Sequence, residues 1–286
     1  DISSYSIEHV RKLAPATERA RVTVAPTAGN RFLEETFRKQ RGADLQSRQG
    51  TAATRTIIVD QGVVTLRQLV RQVADASLAD EDRASVTLRL PILIEPGATM
   101  IVDGRQTPEL RLYTNRGAFV ANAGTLFVLE AQVTSWDEPR DASTPFVEGM
   151  AFRPFIASYI RSRTYLAGST FHDLGFHAPT AYGLSLSSQP ERDQGDARED
   201  WPTGVIFGNV FRGLYYGFYS YEARDVALVG NTYVDNIRYG IDPHDRSTRL
   251  IIARNTTKST RQRHGIIGSR GITDSYIFDN TCMDNT

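Results

Sequence analysis

A single cysteine, Cys282, in 286 residues rules out an internal disulfide. Cysteine usage therefore cannot separate a reducing compartment from an oxidising one, and Cys282 is expected in the core. No apolar run is long enough to span a membrane. The first residue, Asp1, is neither an initiator methionine nor the start of an apolar signal-like segment, which suits a mature or trimmed secreted form. Net charge is also lacking: 33 Lys and Arg balance 33 Asp and Glu, so no long-range basic field draws the chain to nucleic acid. The length allows one elongated domain or two compact ones, and the 40% hydrophobic fraction is ordinary for a soluble globular protein.

What the chain does have is a repeat. Asn209, Asn231, Asn255 and Asn280 recur about every two dozen residues, the signature of one stacked supersecondary unit. Three residues before each stands an aliphatic one (Ile206, Leu228, Ile252, Ile277), and two after come Phe211, Tyr233, Thr257 and Cys282. A glycine recurs at Gly217, Gly240 and Gly265, each followed by an apolar residue, Phe218, Ile241 and Ile266. The runs between are short, β-prone and bounded by Gly and Asn, without the three-to-four spacing a helical solenoid needs. The pattern predicts an all-β fold, a right-handed parallel β-helix whose coils touch only their neighbours. The asparagines form a structural ladder, stacked amides satisfying one another and the backbone.

Residues 1–84 read as an α/β cap, with helices expected over 7–13, 31–41 and 63–74; a cap over the first coil would cover unpaired backbone. The β-helix body is expected over 85–286, with lid-like insertions near 135–163 and 187–204 of the kind that overhang a groove. Ending at Thr286, early in a coil, it reads as a body truncated at its C-terminus or as a variant with a much shorter solenoid.

The chemistry concentrates at Asp242-Pro243-His244-Asp245. If Ile241 points inward, alternation sends Asp242 and His244 outward. One coil earlier the same columns hold Tyr219 and Tyr221; one coil later, Ile267 and Ser269, with Arg270 a step further on a turn or bulge that Gly268 and Gly271 permit. Between Arg246 and Arg270 every charged side chain is basic, including Arg249, Arg254, Lys258, Arg261 and Arg263, with His264 besides. Basic groups repeated on successive coils predict a stripe able to hold a linear polyanion, and the tyrosines at 215, 216, 219 and 221 offer faces that stack on sugar rings. Asp242 and Asp245 are candidates to orient His244, with a structural turn as the plainer alternative. His264 reads as a groove-lining residue, and His9, His172 and His177 carry no case. Clustered arginines would repel a cation, and no repeated acidic calcium loop is present, so no metal and no cofactor are expected.

The segment 239–247, reading Tyr-Gly-Ile-Asp-Pro-His-Asp-Arg-Ser, followed by Leu250-Ile251-Ile252-Ala253, Asn255-Thr256, His264-Gly265-Ile266-Ile267 and Ser269-Arg270, resembles the periplasmic mannuronan C5-epimerases of alginate-secreting Gram-negative bacteria. The likeness is sharpest from about Val205 onward. It implies a β-helix with a lid that converts β-D-mannuronate to α-L-guluronate within the polymer. His244 matches the proposed base, Arg270 the arginine proposed to neutralise the substrate carboxylate, and water the proton donor. It further implies a periplasmic location, polymannuronate or alginate as substrate, and an envelope alginate export complex as partner, without nucleic acid or membrane insertion. Two departures stand out: Gly268 where the family carries a branched apolar residue, and Gly271-Ile272-Thr273 after Arg270.

These residue types suit the reaction. The C5 proton lies beside an ionised carboxylate, so its removal adds a second negative charge to one conjugated group. Arg270 can offset that charge, an effect of about 3 to 4 kcal/mol for one lost donor in comparable sites. A neutral histidine base is accessible because the reference pKa is about 6.5. Candidate polymer contacts are Tyr219, Tyr221, Tyr239, Arg246, Lys258, Arg263 and His264. Two rival functions stay open: a polysaccharide lyase of the same fold, in which a tyrosine assists departure of the C4 oxygen, and a non-catalytic polyuronate-binding export scaffold.

Overall fold

The computed structural model describes residues 2–34, 43–188 and 198–286. Three sheets of eight, eight and nine strands form the sides of a parallel β-helix, each coil giving one strand to sheet A, one to sheet B and one to sheet C in chain order. Sheet A ends at Tyr216–Tyr221 and Tyr239–His244, sheet B at Ile251–Ala253 and Tyr276–Phe278, and sheet C at Thr256–Lys258 and Thr281–Met283. The interior is one continuous apolar cluster, from Ile57 and Leu66 to Leu250 and Ile252.

The repeat residues do what their spacing predicts. Asn231 Oδ1 accepts from the Asn209 backbone N–H at 2.9 Å and from its side-chain amide at 3.0 Å, while Asn231 Nδ2 donates to Ile206 O and to Asn255 Oδ1. The same exchange continues from Asn255 to Asn280. Phe171, Phe211 and Tyr233 stack beside the ladder at 4.9 and 4.8 Å, the spacing of neighbouring strands. Gly217 and Gly240 serve close approach: a Cβ at Gly240 would stand 2.4 Å from Gly265 O, and one at Gly217 2.5 Å from Gly240 O.

The parallel pairing begins earlier than the change of pattern at Ser85. Arg55–Gln61 pairs in parallel with Ile92–Ile94, and Val63–Thr65 with Thr99–Asp103. The helix expected over 63–74 accordingly starts three residues later, at Leu66–Val73, because β-branched Val63 and Val64 join sheet B and Thr65 becomes the N-cap, forming a capping box with Gln68. Its Leu66, Leu69 and Val70 plug the interior of the first coils. The helix Ile7–Leu13 lies instead on the outside of sheet B, where Val10 packs on Ile101, Phe127, Leu129 and Ala167. Residues 31–34 are helical; the rest of the expected helix over 31–41 lies outside the described residues, as does the centre of the second insertion. None of the described helices is long and apolar enough to cross a membrane.

Two expected core positions are open. Ile277 and Cys282 occupy the inward columns beside Ile252 and Thr257, yet Ile277 is 50% exposed and Cys282 is exposed. No described coil lies over them.

The ladder generates a stability prediction. Asn231→Ala leaves the Asn209 N–H and Ile206 O unsatisfied inside the solenoid and should cost about 3 kcal/mol. Asn280→Ala, at the exposed end, should cost about 1 kcal/mol. Urea unfolding of the two variants checks the order; equal losses would show that the interior ladder is not what holds the coils in register.

Candidate functional site

Sheet A carries the site because both insertions leave the solenoid at its edges, the first between sheets C and A and the second between sheets A and B. On the early coils its outer face is covered: Phe32 and Leu33 pack with Phe119, Phe152, Phe155 and Tyr159. The first insertion is pinned by Arg153, fully buried, which donates to Gly175 O at 2.7 Å, Leu174 O at 2.8 Å and Gly213 O at 2.9 Å. Removal from water pushes its pKa down to about 9, against the pull of Asp173.

Beyond that cover the wall becomes aromatic and then ionic. Tyr182 stacks on Tyr216 at 4.4 Å, Tyr216 meets Tyr239 edge-on at 4.9 Å, and His264 lies 6.1 Å from Tyr239. The columns match the sequence reading: Tyr219 beside Asp242 and Tyr221 beside His244. On the next coil, Ile267 N–H donates to Ile241 O and Ser269 N–H to Pro243 O, setting Ile267 beside Asp242 and Ser269 beside His244. The expected turn at Arg270 is present, with φ of +54° there and +80° at Gly271.

His244 is 21% exposed, with Nδ1 at 2.5 Å from Asp245 Oδ2. Its Nε2 has no hydrogen-bond partner among the described residues. Asp245 Oδ1 faces the Arg270 guanidinium at 3.9 Å, and Arg270 is otherwise open, 73% exposed. The turn that aims Asp245 needs two successive left-handed residues, Asp245 (φ +34°) and Arg246 (φ +59°), held by Ser247 Oγ donating to His244 O at 2.9 Å.

Asp242 differs from expectation. It points to the outer face but is only 4% exposed, and its Oδ1 is buried without a partner among the described residues. Burial pushes its pKa up to about 6, although His244 and a hydrogen bond from Ser269 pull the other way. Of the two carboxylates considered for holding His244, only Asp245 contacts the ring nitrogen. Burial also raises the tyrosines: Tyr182 is pushed up to about 12, and Tyr216 and Tyr219 higher still.

The expected basic stripe does not form. Residues 246–270 make up one full coil, because ladder partners are 22 to 25 residues apart, so their side chains are dealt out around all sides. Arg249 pairs with Asp225 at 2.7 and 2.8 Å, and Arg246 with buried Glu222. Lys258 stands on sheet C, not on the wall of His244. Only Arg263 and His264, leading into sheet A beside Tyr239, and Arg270 remain on the site's side. The tyrosine faces are also less open than expected: Tyr215, Tyr216 and Tyr221 are buried, the first two in a cluster with Ile237.

Sequence reasoning missed Tyr182, Arg238 and Glu222, and placed Ser269 in its column without giving it a partner. Arg238 donates to Tyr215 Oη at 3.2 Å under the aromatic row. Glu222 had a signal, opposite charges one coil apart: it precedes Arg246 by 24 residues, as Asp225 precedes Arg249. Among the described residues no three His, Cys, Asp or Glu side chains converge as metal ligands.

The buried acid gives a pH prediction. Asp242 has a folded pKa raised above its unfolded value, so its contribution to stability is complete below about pH 4 and is lost as pH rises through about 6. Asp242→Asn should therefore be more stable than the parent by about 3 kcal/mol at pH 8, and the advantage should vanish near pH 4. Chemical unfolding at both pH values reads this; a pH-independent difference would mean that Asp242 is ionised and compensated in the folded state.

No protein-family model matches the chain. Similar proteins include mannuronan C5-epimerase of Pseudomonas aeruginosa, 40% identical over 91% of this chain and 46% of that protein; mannuronan C5-epimerase AlgG of Azotobacter vinelandii, 40% identical over 80% and 43%; and mannuronan C5-epimerase of Pseudomonas putida, 35% identical over 100% and 55%. The chain thus spans about half the length of the curated relatives it matches. The crystal structure of the periplasmic alginate epimerase AlgG superposes with a TM-score of 0.91 at 34% identity, covering 98% of this chain and 66% of that one. With that overlap in sequence and in three dimensions, the chain is similar, over the region it spans, to the mannuronan C5-epimerases.

Proposed function

We propose that the protein epimerises mannuronate residues at C5 within a polymannuronate chain lying along sheet A. The observation that carries this reading is the relay at one solenoid corner: His244 with Nε2 open, Nδ1 against Asp245 at 2.5 Å, and Arg270 on the far side of that carboxylate.

The chemistry follows from these positions. Asp245 keeps the Nδ1 proton in place and so presents Nε2 as the base. Arg270, with its guanidinium open on the same corner, binds the substrate carboxylate and offsets the charge that builds there as the C5–H bond breaks. The C5 proton passes to His244, leaving a planar enolate. A proton from water on the opposite face restores the carboxylate with inverted configuration at C5. Asp242, buried and electrically soft, supports the wall beneath the base. Tyr219, whose ring is 5.8 Å from that of His244, together with Tyr239, Arg263 and His264, lines the path of the polymer. The periplasm, and a place beside an envelope alginate export complex, belong to the same proposal, supported by the likeness to periplasmic AlgG.

The test is proton NMR of polymannuronate in deuterated water. Guluronate signals with deuterium at C5 and no unsaturated chain ends support epimerisation. Unsaturated ends would assign a lyase, and polymer binding without turnover a scaffold. His244→Asn should abolish turnover while leaving polymer binding unchanged. Arg270→Lys, which loses the bidentate fork, should lower kcat by about 10²-fold.

A further inference from the structure

We propose that Glu222 is a positioning residue for the base, holding Arg246 and thereby fixing the turn from which Asp245 reaches His244; this rests on the reading of His244 as the base. Glu222 directly follows the strand Tyr216–Tyr221, one coil before the motif, and its side chain is 3% exposed. A carboxylate so removed from water requires partners. It has two: Arg246, in a close ion pair, and the Ser188 hydroxyl at the end of Gly183–Ser187. Its backbone joins the same turn, since Glu222 N–H donates to Asp245 O at 2.9 Å, and Arg246 N–H donates in turn to Arg270 O at 2.9 Å. One buried acid therefore grips both the residue after Asp245 and the end of the strand three coils below Arg270.

The turn needs such a grip. Asp245, Arg246, Arg270 and Glu222 itself all have positive φ, a conformation non-glycine residues adopt only when their surroundings impose it. Without the ion pair, Arg246 swings toward solvent, where it is already 55% exposed, and Asp245 loses the restraint on its neighbour. The pairing also decides which cation serves the substrate. Arg246 is neutralised by Glu222, whereas Arg270 has only the 3.9 Å contact with Asp245. A single open guanidinium beside the base favours one carboxylate in one place.

The groups facing His244 set the sign of the expected pH effect: Asp245 in contact, Asp242 within the wall, Tyr219 across the ring, and Arg270 behind Asp245. Weakening the hold on Asp245 disfavours the imidazolium, and so does removing the negative charge of Glu222. Both move the acid limb of the rate profile to lower pH.

The experiment compares the parent, Glu222→Gln and Arg246→Gln in the deuterium-exchange assay, with kcat and KM measured across pH. Imidazole nitrogen NMR of the five histidines, assigned with His244→Asn, reads the His244 tautomer and titration independently of turnover. Glu222→Gln should lower kcat about ten- to a hundredfold with KM nearly unchanged, as expected when reacting groups are misplaced. Its acid limb should move down in pH; Arg246→Gln should lower kcat likewise but shift the limb less, because losing its cation opposes the effect of the weaker hold on Asp245. The double variant should be no worse than either single one, because both break one pair. If Arg246→Gln raises KM alone and Glu222→Gln leaves kcat and the His244 titration at parental values, Arg246 is a polymer contact and the proposal is overturned. A parent without epimerase activity would overturn the functional reading instead, and the histidine spectrum would still decide whether Glu222 sets the state of His244.

Discussion

Each buried asparagine binds the coil on either side of it, and through those amides the register of the whole wall is set. Asn231 cannot shift by one residue without breaking its bonds to Asn209, Ile206 and Asn255 together. Because side chains alternate along a strand, a slip of one would turn Asp242 and His244 inward and Ile241 outward. The columns Tyr219 with Asp242 and Tyr221 with His244 exist only while that register holds. The site is thus a consequence of a ladder whose members never approach the substrate face.

Corners, not strands, supply the reactive geometry. Left-handed residues at Glu222, Asp245, Arg246 and Arg270 store backbone strain of about 1–3 kcal/mol each. Stacking supports them, since the N–H of Glu222 and that of Arg246 each find a carbonyl of the next coil. Strand positions would fix His244 but could not bring Asp245, the very next residue, to its ring. The sharp turn does that, and the following coil brings Arg270 to the other side of the same carboxylate.

Burial separates the charged groups into those held for structure and those left for chemistry. Glu222, Asp225 and Asp242 are paired or shielded inside or beside the wall, and Arg153 is consumed by carbonyls under the first insertion. Arg270 stands apart through its exposure. The basic run that looked like one surface loses most of its members to local acids or to other sides. A run as long as one coil has no single face, which is a property of the winding and not of the composition.

Legibility divided along the same line. The period, the β character, the inward residues and the columns through Asp242 and His244 could be read because stacking repeats every two dozen residues and strands alternate by two. The Leu66–Val73 helix was legible from its apolar face, but its first turn was lost to β-branched pairing with a strand some 35 residues further on. What spacing could not show was depth: Asp242 points outward yet is covered, and Tyr215 and Tyr216 face one another, because cover comes from insertions and neighbouring coils. Nor could it show which partner each charge takes, Asp245 rather than Asp242 for His244 and Glu222 for Arg246. The sequence by itself determined the winding and the identity of the groups on the wall, since both follow from local periodicity. Only the tertiary structure decided which of those groups are buried, paired or open, because that depends on contacts one coil away and on corner conformations that no periodic pattern encodes.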